Sequence, residues 1–410
     1  MGDYIKDGGG SRGLSGSAGS ITLHKDEVVT VKRILLVVCA AAVLAGCAET
    51  AVKPAEVAFF PPLPQSPKLQ FLLSITTEND IGGAKSSGLN DWLVGKQPGK
   101  KQIARPHDVG SVKGKIYILD RTFKKVLILD LARKQLDFIK DAREGALSDP
   151  MGLWVTQDGI KYVVDSARKQ VLVFDKDEKF VREYGEKDQF EKPMDVAVYK
   201  DRIYVIDFAK MALLVLDKES GKTVQTIGEP GGEEGRFNRP THVSVDAQGN
   251  VYVNDSINFR IQKFDPQGKY LKHFGYQGDT LGGFARPKGI AVDHDGLVYA
   301  VDTAFENTQI FDPSSTDLLL FFGGYGPHAG SMYLPSSLHI DYDNVEYFNQ
   351  YADKDFKLKY LVYVGNLLGD KKLNVYGFGE WIGAPLPAIE RKPVLTVPPV
   401  KRGPSDKEKK

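Results

Sequence analysis

Arg239-Pro240-Thr241-His242-Val243-Ser244-Val245, then Gly249-Asn250-Val251-Tyr252-Val253-Asn254-Asp255, then Arg260-Ile261-Gln262-Lys263-Phe264-Asp265, is the fullest form of a pattern that occurs six times in the chain. Short runs alternate apolar and polar residues and favour β-branched and aromatic side chains, with Gly, Asp and Asn between them. This is the signature of strands joined by tight turns. In this copy the pattern predicts strands at 243–245, 251–254, 261–264 and 270–274. The copies open on Pro106, Pro150, Pro193, Pro240, Pro287 and Pro335, spaced 43 to 48 residues apart. A period near forty-five filled with strands predicts propeller blades. Proline heads the first strand of each copy and never interrupts one, as a residue without a backbone N–H must.

Ring closure tests that reading, because an unpaired edge at the seam invites aggregation. Outer strands are predicted at 135–140, 180–184, 223–227, 270–274 and 317–322, but the sixth copy runs out after 373–376. A strand at 69–75, ahead of the first copy, supplies the missing piece. The expectation is an all-β fold: a six-bladed β-propeller of four-stranded antiparallel blades, the last blade closed by the N-terminal strand.

Gly235-Arg236-Phe237-Asn238-Arg239-Pro240 through Asp255-Ser256-Ile257-Asn258-Phe259-Arg260-Ile261 resembles the NHL-repeat consensus, and the likeness extends over residues 69–380. The resemblance implies one blade per repeat around a central channel. Asp120, Asp165, Asp207, Asp255 and Asp302 follow the second strand of repeats one to five. Their expected role is to tie a turn through backbone N–H groups. In the sixth repeat Gly365 stands where the others have aspartate.

Lys32-Arg33 precede an apolar run from Ile34 to Leu44 that ends in Leu44-Ala45-Gly46-Cys47. The run is shorter than the roughly 20 residues of a spanning helix and small residues precede the cysteine, so it reads as a cleaved signal. It resembles a bacterial lipoprotein signal, which implies cleavage before Cys47 and lipid, palmitate included, on its thiol. Ala48 after the cysteine favours the outer membrane. The expected organisation is an extended N-terminus and signal at 1–46, a Pro-rich linker at 47–68, the propeller at 69–380 and a flexible Pro- and Lys-rich tail at 381–410. An extended linker at about 3.1 Å per residue would lift the propeller tens of ångströms off the membrane. Gly, Ser and acidic residues ahead of the signal place the expected initiator near Val28 or Val29. The chain has two cysteines, Cys39 and Cys47, which leaves the expected mature chain no disulfide and no haem attachment.

With 54 basic and 53 acidic residues the net charge is +1, and no basic block carries interleaved aromatics, so nucleic-acid binding is not expected. Within the repeats no Gly-x-Ser-x-Gly elbow, His-Glu-x-x-His or phosphate-binding loop is present, so no catalytic residue is assigned. Resemblance to the amidating lyases and gluconolactonase-like propellers points to the channel mouth, where the candidate binding residues are His107, Asp108, Asp195, His242 and His339. Three imidazoles from three blades make a zinc site conceivable. However, strand alternation gives His242 and His339 one parity and His107 the other, so neither a metal nor a cofactor is expected. In the sixth repeat, residues 341–356 lengthen the connection between the first two strands. That insertion offers Tyr342, Tyr347, Phe348, Tyr351 and Phe356 as anchors for a partner or as the packed face of a short helix. The resulting expectation is an exported, lipid-anchored envelope scaffold that binds a protein or ligand without catalysis. The resemblance to NHL-propeller lipoproteins of cytochrome-rich bacteria implies a place beside electron-transfer proteins. The alternative is a metal-dependent propeller enzyme, amidating-lyase-like or lactonase-like. The membrane through the lipid and an envelope protein are the expected partners, with no nucleic acid and the oligomeric state undetermined.

Overall fold

The second and third strands of repeats one to three are nearly continuous apolar runs, which suits strands covered on both faces. In the computed structural model Lys115–Asp120 and Lys125–Asp130 are buried from their second residue onward. The structure describes residues 57–83, 101–140 and 146–387. The signal-like segment, Cys47 and the tail beyond 387 lie outside the described residues.

Five blades are four-stranded, antiparallel and continuous in sequence, from Pro106–Val112, Pro150–Val155, Pro193–Tyr199, Pro240–Val245 and Pro287–Val292 outward. Their outer strands are Gln135–Phe138, Phe180–Tyr184, Thr223–Ile227, Tyr270–Phe274 and Leu318–Gly323. The sixth blade takes Pro335–Asp341, Phe356–Asn366 and Leu373–Trp381 from the end of the chain and Leu69–Ile75 from its beginning. Leu69 pairs with Phe378 and Ile75 with Leu373, and Ser74 Oγ donates to Asn374 Oδ1 at 2.6 Å. Each innermost strand packs on those of both neighbours, the first against the sixth included. Six apolar clusters fill the six spaces between blades. The seam is filled like the rest, with Leu72, Ile75, Leu373 and Val375 packed against Ile116, Ile118, Leu127 and Leu129.

Two boundaries differ from expectation. Ala58–Phe60 adds a fifth strand outside Leu69–Ile75. Phe59 packs on Phe356 and Trp381, and Phe60 on Phe322 and Tyr376. The propeller therefore begins at 58, inside the expected linker, because two phenylalanines among the prolines bury apolar area there. At the other end the Trp381 indole donates to the Ala384 carbonyl and Ile382 N–H to the Asp355 carbonyl, so chain expected in the tail is tied to the blade.

The repeat aspartates do the expected work. Asp120 accepts the N–H groups of Ala104 and Arg105 on one oxygen and those of Thr122 and Phe123 on the other. Asp302 repeats the arrangement with Ala285, Arg286, Ala304 and Phe305. Each carboxylate thus pins the entry to the first strand against the turn after the second. In the sixth blade the register sets Asn366, not Gly365, opposite the repeat proline. Asn366 Oδ1 accepts the Tyr333 N–H at 3.1 Å. The expected vacancy is a one-residue displacement, and Gly365 is required instead because a Cβ there would strike Ser337 Oγ.

The 341–356 insertion forms a helical turn at Val345–Phe348 and a tighter one at Asn349–Tyr351. Phe348 and Phe356 are buried in the seam cluster, with Tyr347 and Tyr351 packed against it. Asn344 takes the Gly114 N–H and donates to the Val112 carbonyl, fastening the insertion to the first blade. Tyr342 stacks on His294 at 3.7 Å. Four of these aromatics thus pack at the seam between the first and sixth blades and Tyr342 packs beside the fifth, as the packed face of a short helical insertion would.

Candidate binding site at the channel mouth

Strands enter the channel at their prolines, and every innermost strand carries a register shift directly after its proline. Such a bulge breaks the alternation of side chains. Residues one and two places after the proline are therefore not divided between opposite faces as simple strand parity requires. His107 and His242 are electrostatic neighbours, and Lys288 acts on both. The parity expectation that separated His107 from His242 is overturned by the bulge.

His339 sits elsewhere, toward the far end of the innermost strands. Its Nε2 lies 2.9 Å from Ser111 Oγ, its ring runs parallel to that of Tyr363, and its charged neighbours are Asp341 and Asp343. Among the described residues no three His, Cys, Asp or Glu side chains gather in a metal-binding group.

The acids at the second position after the proline are structural. Asp108 accepts the N–H of Val109 at 2.9 Å and, across to the next blade, that of Leu153 at 2.7 Å. Asp195 repeats this with Val196 at 2.8 Å and Val243 at 2.9 Å. Between them stands Gly152, whose Cβ would lie 2.5 Å from Asp195 Oδ1 and 2.7 Å from its Cα. Large and absent side chains thus alternate where the blades converge. Burial pushes the Asp108 carboxyl up to about 7, against the pull of the two N–H donors. Asp195 is raised well above the ordinary carboxyl range by burial and then by the charge of Asp108.

The histidines are held neutral. Burial, reinforced by Arg121, Lys288 and Arg105, lowers His107 to about 4. Its Nδ1 lies 2.7 Å from the Met151 carbonyl, which only accepts, so Nδ1 carries the proton and Nε2 is free. His242 is lowered well below its ordinary value by burial, Lys288 and His107. Its Nδ1 is 3.0 Å from Thr241 Oγ1, which also takes a hydrogen bond from Asn254 Nδ2. The same amide reaches the carbonyl of Lys288 at 3.0 Å. Lys288 is half-buried and forms no ion pair among the described residues; burial and Arg286 lower its pKa.

Sequence reading selected neither Lys288 nor Asn254. The signal for Asn254 was available: the residue just before the turn aspartate is Leu119, Val164, Ile206 and Val301 in other blades. A polar side chain in a buried apolar register marks a site that needs a hydrogen bond.

Acids and histidines here move stability in opposite directions with pH. A carboxyl raised on folding stabilises fully below its unfolded value of about 4, and that contribution is lost as pH rises through about 7. An imidazole lowered on folding stabilises above about 6.5 and loses the contribution as pH falls toward about 4. Between those limits the two oppose each other. Melting temperature is expected to rise with pH across this window in Asp195→Asn and to fall in His242→Asn. Parallel pH profiles for the two variants would refute the assignment.

A family described as a 6-bladed β-propeller matches residues 186–265. Among solved structures, a gluconolactonase from Xanthomonas campestris superimposes with a TM-score of 0.51 at 14% identity, over 80% of this chain and 99% of its own. A protein of unknown function from Bacteroides thetaiotaomicron gives a TM-score of 0.51 at 17% identity, over 68% of this chain and 70% of its own. At such identities the likeness is one of fold, and by that likeness and its own six closed sheets the chain is a six-bladed β-propeller.

Proposed function

We propose that this chain is a lipid-anchored scaffold of the cell envelope that binds a ligand or partner on the proline-end face of its propeller, without catalysis. The observation that carries the reading is the state of the mouth residues. Asp108 and Asp195 each spend both oxygens on backbone N–H groups. The neutral His107 and His242 stand beside a cation, Lys288, which repels a metal ion rather than recruiting one. On the same face, loops from separate blades expose Phe123, Ile257, Tyr276, Leu281, Tyr325 and Leu368. Apolar and aromatic anchors on a rigid frame suit recognition. Lys32-Arg33 and Leu44-Ala45-Gly46-Cys47 support export and lipid attachment, and the resemblance to NHL-propeller lipoproteins supports a place beside envelope electron-transfer proteins.

Two measurements test the reading. Cys47→Ser is expected to move the protein from the membrane to the soluble fraction and abolish palmitate labelling; unchanged membrane partition would remove the anchor. Elemental analysis of protein purified without chelator is expected to find no stoichiometric zinc or calcium. One equivalent of zinc, lost in His107→Ala and His242→Ala, would replace the scaffold with a lyase-like enzyme, and one of calcium with a lactonase-like one.

A further inference from the structure

The geometry points to the channel mouth as a binding site for a small oxyanion, carboxylate or phosphate, seated against Lys288 and ringed by arginines from other blades. The inference deepens the binding reading above and rests on it.

The residue before the repeat proline is Arg105, Lys192, Arg239 or Arg286 in four of the six blades. None of these four forms an ion pair among the described residues, and neither does Lys288, which lies inside the ring they form. Arg239 and Lys192 both lie over the ring of Phe208, at 5.8 and 5.0 Å from its centroid, which holds two cations from adjacent blades on one side of the mouth. Arg286 acts on Lys288, and Arg105 and Arg121 act on His107. Of these cations only Arg121 is neutralised, by Asp149 at 2.5 Å. No acid is among the groups that act on Lys288. A half-buried ammonium without a counter-charge is costly, and a ring of unpaired cations around it raises the local concentration of anions.

The opposite mouth provides the contrast. Its open groove of about 570 Å³ sets Lys113, Lys115 and Lys176 among Asp158 and Asp343, so acids stand among the cations there.

The test is isothermal titration of the full chain in detergent with sulfate, phosphate and succinate, at constant ionic strength in chloride. Lys288→Met and Lys113→Met, the latter at the opposite mouth, are titrated alongside. At least one probe is expected to bind with a 1:1 stoichiometry and to lose affinity at least about tenfold in Lys288→Met but not in Lys113→Met. Preference for succinate identifies a carboxylate ligand, and preference for phosphate or sulfate a tetrahedral one. Equal affinity in Lys288→Met and the unaltered chain, or no binding of any probe, overturns the inference. Thermal melting guards against a misfolded variant. Lys288→Met without anion is expected to melt no lower than the unaltered chain, and the probe should raise only the latter's midpoint. Metal-free protein that binds no anion would end this inference and leave the scaffold reading standing; stoichiometric zinc would end the scaffold reading itself.

Discussion

Removal of residues 57–76 is expected to leave no soluble monomer. The segment carries Leu69, Leu72 and Ile75, all buried, into the two clusters that flank the sixth blade. At about 2 kcal/mol per buried aliphatic side chain these three alone match a large part of the roughly 5–15 kcal/mol by which a domain is stable. Deletion also strips Leu373–Trp381 of its outer partner and opens a long edge with apolar residues on both faces. Expression of the shortened chain should give aggregates, and a peptide of residues 57–76 supplied during refolding should recover soluble, cooperatively melting protein. A soluble deletion with a sharp melting transition would show that the ring does not depend on this strand.

Gly152→Ala should cost about 3 kcal/mol, at the upper end of what overpacking usually does. The added methyl would meet Asp195 Cα and the Met194 carbonyl as well as Asp195 Oδ1. Two of these are backbone, so no rotamer change relieves the clash. The Asp195 carboxylate, which bridges to Val243 of the following blade, would be displaced with them. Gly232→Ala is the control: its Cβ would find only Asn258 Oδ1, at 3.8 Å, and its effect should stay within about 0.5 kcal/mol. Chemical denaturation of the two variants checks the difference. Equal stabilities would mean that the centre of the ring yields where the packing says it does not.

The fold was legible because its information is repeated. Six prolines at one spacing, five aspartates in register and an orphan strand at 69–75 each constrain the same ring. The strand at Ala58–Phe60 was hidden because a single short copy among prolines has no repeat to support it. The site was legible only in part. The channel-mouth candidates included His107 and His242, yet parity divided them, since a bulge leaves no mark in alternation. The insertion misled for a related reason. Aromatics in a long loop have the composition of a contact surface whether they face outward or, as Phe348 does, into the core.

Closure by the N-terminal strand also sets an order in time. Ser74 and Asn374, which share a hydrogen bond, are 300 residues apart. A ribosome adding roughly 5–20 residues per second takes roughly 15–60 s to cover that distance. Throughout that interval Leu69–Ile75 lacks its partner within the ring, because Leu373–Trp381 does not yet exist. A strand made near the start is thus among the last placed, and a chain still being synthesised cannot lock itself shut. It stays threadable until its end is free.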